Sequence, residues 1–153
     1  PVVLDGISMG CTTVLLATEL DLPDQVKAVV ADCGFTSAWE QIKHSIKSNM
    51  RLPAFPSLYL VSLFARIFAG IRLRGCDTRK AMEKNTTVPV FFATGTRDRV
   101  VPPEMTKQNY EACRAPKMLL LTEAAHGMSY LAAKAEYEKQ LEDFLEGCLK
   151  QID

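Results

Sequence analysis

Four short apolar runs punctuate the chain: "VVL" at 2–4, "VKAVVA" at 26–31, "VPVFFAT" at 88–94 and "KMLLLT" at 117–122. Stretches with helical spacing separate them. This alternation constrains the fold more than any other feature. Each run is short and rich in β-branched or bulky apolar residues, which reads as strand. Parallel neighbours need a crossover connection, usually a helix. The expected class is therefore α/β, with three α/β/α layers around a parallel sheet of about four strands. Near-continuous apolar strands fit burial on both faces.

The spacing predicts helices over 9–20, from Thr36 or Ser37 to 48, over 57–70 and over 103–114. "DLPDQ" breaks the first of these, and Pro103 falls in the first turn of the last. "MRLPAFP" is read as a loop. "CDTRKAMEKN" reads as a short helix capped by Asp77. A final helix over 129–150, in two parts, would bury a stripe of Leu141, Phe144, Leu145 and Leu149. The 153 residues suffice for one domain with a sizeable core.

Composition removes several functions. Lys plus Arg and Asp plus Glu balance at 18 each, so no basic face for nucleic acid is expected. Cys11, Cys33, Cys76, Cys113 and Cys148 form no C-x-x-C pair and no zinc spacing. Most read as buried small hydrophobes, which suits a reducing, cytoplasmic setting. The most apolar stretch, "FPSLYLVSLFARIFAGIRL", is interrupted by Arg66 and Arg72, falls short of an uncharged spanning run, and is read as packing on protein rather than crossing a membrane.

Ligands of parallel sheets gather beyond the C-terminal strand ends. Those ends read "DGISMG", "ADCGFTS", "ATGTRDRVVPPE" and "TEAAHGMSY". In the first, Ser8 stands between Gly6 and Gly10. A nucleophile on a tight strand-to-helix turn needs small neighbours at these offsets. The N–H of Met9, opening the next helix, can donate to an oxyanion. A hydroxyl needs a base. Of the two histidines, His126 follows the last strand, whereas His44 falls inside a helix and reads as a helix-surface residue. The base needs an orienting carboxylate. Asp98 follows the third strand at the same rim, and Asp32, ending the second strand, is its rival.

With these motifs on the page, the chain resembles the C-terminal half of an α/β-hydrolase-fold serine hydrolase. "GISMG" is similar to the G-x-S-x-G elbow. "PVFFATGTRDRVVPPE" is similar to the acid strand and loop, P-x-L-x-x-x-G-x-x-D-x-x-V-P. "AAHG" is similar to the histidine loop, and "VVADCGFTS" to the intervening strand of esterase-like and peptidase-like branches. The resemblance implies a catalytic Ser8–His126–Asp98 triad and hydrolysis of an ester, thioester or amide through an acyl-enzyme. It implies no metal and no organic cofactor, and a small-molecule ester or acyl partner.

The family's earlier strands, and its loop with the second oxyanion N–H, have no counterpart in the 153 residues. The expectation is a partial domain from a longer protein, beginning here at Pro1. Strand 2–4 would then be an exposed apolar edge, open to pairing with a second copy or another chain. A catalytically incomplete fragment that binds through that edge is the alternative function. Residues 49–76 sit where the family inserts a helical cap. There Leu60, Leu63, Phe64, Ile67 and Phe68 either line an acyl pocket or cover the core. Phe35 and Trp39 either wall the same pocket or pack under the cap.

Overall fold

The computed structural model describes residues 1–48 and 50–149. Four strands, β1 (Val2–Ile7), β2 (Val26–Asp32), β3 (Val90–Gly95) and β4 (Lys117–Thr122), form one sheet in the order β1-β2-β3-β4. Every neighbouring pair is parallel. The helices are α1 (Met9–Ala17), α2 (Ala38–Ser48), α3 (Ala54–Ala69), α4 (Thr78–Lys84), α5 (Pro103–Ala112), α6 (Ser129–Ala132) and α7 (Lys134–Leu149).

Alternation along β2 and β3 divides the core in two. Val29, Ala31, Val90 and Phe92 face Cys11 and Leu15 of α1, Ala81 and Met82 of α4, and Cys113 beyond α5. Ala28, Val30, Phe91 and Ala93 face Tyr137 and Phe144 of α7. Side chains of a strand point to opposite faces in turn, so two buried faces require apolar residues at every position. The three expected layers follow directly.

Local signals set the helix ends. Asp77 caps α4, accepting from the Arg79 N–H at 3.0 Å. Ser37 accepts the Glu40 N–H at the start of α2. Pro103 opens α5, where its missing N–H has no helical partner to lose. The last helix is indeed split, at Ala133.

Three expectations need correction. β1 runs on to Ile7, beyond residue 4; Val2, Val3 and Ile7 are exposed, as expected of an edge strand, and among the described residues β1 pairs with β2 alone. α1 ends at Ala17, before residue 20. α3, Ala54–Ala69, is interrupted at Phe55, which is extended (φ −102°, ψ 131°), so its continuous part begins close to the expected residue 57 and ends on Gly70 in the left-handed region. Leu149 is exposed at 45%, outside the stripe that buries Phe144. Lys150 lies outside the described residues.

Candidate active site

The first side chain at the rim is held in a strained turn. Ser8 joins β1 to α1 with φ 57° and ψ −114°. For a non-glycine residue such a conformation costs on the order of 1–3 kcal/mol and persists where its surroundings over-determine it. Here they do so from both sides. The Ser8 N–H donates to the Asp32 carbonyl at 2.9 Å, and its carbonyl accepts the Thr12 N–H at 3.1 Å. A Cβ on Gly6 would lie 2.4 Å from the Gly10 carbonyl, so only glycine lets α1 come this close to β1. Gly10 itself is different. A Cβ there meets nothing within 4 Å among the described residues, contrary to the symmetrical need expected of both glycines. Met9 opens α1, and its N–H is one of the first-turn groups without an intrahelical acceptor.

Asp98 lies in the turn after β3 with its side chain fully buried. One carboxylate oxygen accepts the N–H groups of Val100 (2.8 Å) and Val101 (3.0 Å). The other lies 2.7 Å from His126 Nδ1. His126 Nε2 is 2.9 Å from Ser8 Oγ. The three expected side chains therefore form one hydrogen-bonded line across three strand ends. The Nδ1–H tautomer donates to the carboxylate and leaves Nε2 to accept the hydroxyl proton.

The rival acid is engaged elsewhere. Asp32 accepts the Ser129 hydroxyl at 3.2 Å and stands behind the elbow. Burial pushes its carboxyl above the ordinary aspartate range, and the Ser129 bond offsets part of that rise.

Several supporting residues carried weak signals or none. Gly95, within the acid pattern, brings β3 against the histidine loop, where a Cβ would lie 2.2 Å from the Ala124 carbonyl. Gln41 donates to the Val100 carbonyl at 2.8 Å, and His44 Nε2 to that of Arg99 at 3.2 Å. Two α2 side chains thus pin the acid loop, and His44 does more than the surface residue expected. Cys33 sits at positive φ (47°), its sulfur within 4.8 Å of ligating atoms of Asp98 and His126. Burial, and next the charge of Asp32, push its thiol pKa up to about 12, so it stays protonated and is a poor nucleophile. Cys11 is buried beneath the elbow, against Gly34.

The α3 candidates for an acyl pocket, Leu60, Leu63, Phe64, Ile67 and Phe68, are turned outward rather than packed over the core. Leu60, Phe64 and Phe68 are exposed, and the last two stack on each other at 5.8 Å between ring centres. Trp39 packs edge-on against Tyr59 (5.5 Å) beneath the Arg74 guanidinium (3.8 Å). Phe35 is half-buried, its backbone bonded to the hydroxyls of Thr12 and Thr78. The physical reason is that α3 packs on α2 and buries Leu58 alone, leaving its other apolar side chains outward.

Solved structures with this architecture define the class. An esterase of Pyrococcus furiosus, Pf2001, superposes with a TM-score of 0.67 at 21% identity, covering 96% of this chain and 53% of that one. An acylaminoacyl peptidase of Pyrococcus horikoshii does so at 0.62 and 16% identity, covering 94% and 23%. The fold is thus the α/β-hydrolase fold. Residues 6–133 match the family model described as Serine hydrolase (FSH1), and the chain belongs to that family. An uncharacterized protein of Bacillus subtilis (strain 168), YqkD, is 31% identical over 144 residues. The chain spans about half the length of that relative, 47%, while 94% of the chain is matched.

Proposed function

We propose that this chain carries the nucleophile, base and acid of a serine hydrolase that cleaves carboxylic esters. The Ser8–His126–Asp98 line, with contacts of 2.9 and 2.7 Å, is the observation that carries the reading. Ser8 Oγ attacks the carbonyl carbon while His126 Nε2 takes the hydroxyl proton. The Met9 N–H donates to the oxyanion. Collapse breaks the C–O bond, and His126 returns the proton to the leaving alkoxide. Water, deprotonated by the same nitrogen, then releases the acid and restores Ser8. Asp98, 2.7 Å from Nδ1, fixes the tautomer and holds the imidazole in place.

The likeness to an esterase favours esters, and the likeness to an acylaminoacyl peptidase keeps amides as the second substrate class. Thioesters follow the same chemistry. A reducing, cytoplasmic setting is supported by five free cysteines. Among the described residues no helix is long and apolar enough to cross a membrane.

The exposed β1 edge, with Val2 at 47% and Ile7 at 54% exposure, favours a second reading. In it the chain is catalytically incomplete alone and binds through that edge. A fluorophosphonate probe separates the two. The expected outcome is labelling of this 153-residue chain and of a longer protein containing it, and of neither Ser8→Ala variant. Labelling of the longer protein but not of this chain favours the second reading, and labelling that survives Ser8→Ala, or no labelling of either protein, sinks the triad reading.

A further inference from the structure

The apolar outward face of α3 coincides with an unusual charge distribution. Between Glu40 and Asp77 the sequence has no acidic residue, yet it carries six basic ones: Lys43, Lys47, Arg51, Arg66, Arg72 and Arg74. The chain as a whole is neutral, so the remainder has an excess of acid. Along α3, Leu60, Phe64, Ile67 and Phe68 are about half exposed or more, and Phe68 reaches 81%. Arg66, Arg72 and Arg74 have no carboxylate partner among the described residues, whose ion pairs lie elsewhere. Beside the helix, Trp39, Tyr59, Ser62, Arg66 and Arg74 line a cleft of about 310 Å³.

We propose that α3 and its basic flanks bind the surface of a membrane containing anionic phospholipids. The apolar side chains enter the interface, and the guanidinium groups meet lipid phosphates. Hydrophobic insertion or charge alone gives marginal attachment, whereas the two together give stable attachment. Each Lys or Arg near an anionic surface adds about 1 kcal/mol of binding. A second copy of the chain is a poor occupant, because it would set Arg66 and Arg74 beside α3 against the same cations of its partner. An acidic planar surface complements the patch. The inference stands apart from the triad, since binding to lipid needs no turnover.

The test is flotation of the full-length protein with vesicles. One set is phosphatidylcholine alone, and the other has roughly a third phosphatidylglycerol. Expected is flotation with the anionic vesicles, none with the neutral ones, and release at high salt. Arg66→Gln with Arg72→Gln lowers partitioning roughly thirtyfold, by loss of two surface charges. Arg66→Lys with Arg72→Lys retains it. Ile67→Ser with Phe68→Ser abolishes it while circular dichroism shows an unchanged fold. Absent or lipid-independent flotation overturns the proposal. So does unfolding of the Ile67→Ser/Phe68→Ser protein, which would mean the face is covered by protein. A concentration-dependent dimer that this pair dissolves, without vesicle binding, overturns it as well.

Discussion

Asp32 and Asp98 are buried aspartates at the C-terminal ends of neighbouring strands, yet Asp98 is the one that meets the histidine. The difference lies in what surrounds each carboxylate. Asp98 receives two backbone N–H groups on one oxygen, which leaves the other for His126. Asp32 accepts the Ser129 hydroxyl and the Cys33 thiol instead. The sequence ranked Asp98 first on its "GTRDRVVP" context, and could not show the Ser129 contact that occupies Asp32, 97 positions away. Asp98→Asn should lower kcat in ester hydrolysis by about 10⁴-fold, through loss of the correct tautomer. Asp32→Asn should retain most activity, because Asn still accepts from Ser129. Steady-state kinetics with a p-nitrophenyl ester checks both. Comparable losses in the two variants would remove the distinction.

At the scale of elements, helix termini were the most legible feature. Asp77, Ser37 and Pro103 each do what their residue type favours at a helix start. Asp77 does more. It pairs with Arg79 at 2.7 Å, and that guanidinium holds its carboxyl below the ordinary aspartate range. A carboxyl with a depressed pKa in the fold adds stability that is full above its unfolded pKa. That stability is lost as pH falls through the lower, folded value. Asp77→Ala should therefore lower stability by about 1 kcal/mol at neutral pH, the usual worth of a cap. The gap should narrow in strong acid, below the depressed pKa. Urea melts across pH test this, and a pH-independent gap would contradict the ion-pair contribution. Helix α3 shows the limit of pattern reading. Its apolar spacing was plain, but a pattern does not say whether a face meets core, ligand or water. That depends on the neighbours, and α2 meets α3 along too narrow a strip to bury it.

At the scale of the whole molecule, the sheet is asymmetric. β2 and β3 are buried on both faces and hydrogen-bonded on both sides, while among the described residues β1 is paired with β2 alone. Between β1 and α7 lies a groove of about 410 Å³ lined by Val3, Ile7, Val30, Tyr137 and Leu141, with Asp5 and Asp32. An apolar edge strand beside an apolar groove is an association hazard. The 153-residue chain should self-associate, and Val3→Lys should reduce that by placing a charge on the edge. Sedimentation velocity reads this directly. A wild-type chain that stays monomeric at high concentration would refute it.

The sequence by itself determined the α/β alternation, the parallel sheet, the helix starts and the order of serine, acid and histidine. These are local properties, set by side-chain period, backbone preference and the residues a tight turn admits. Tertiary structure decided which buried aspartate faces the histidine and which glycine is sterically obligatory. It also decided that Gln41 and His44 hold the acid loop, and that α3 turns its apolar face outward. Each of these depends on distances between segments far apart in the chain. Packing fixes such distances, and no short window of sequence contains them.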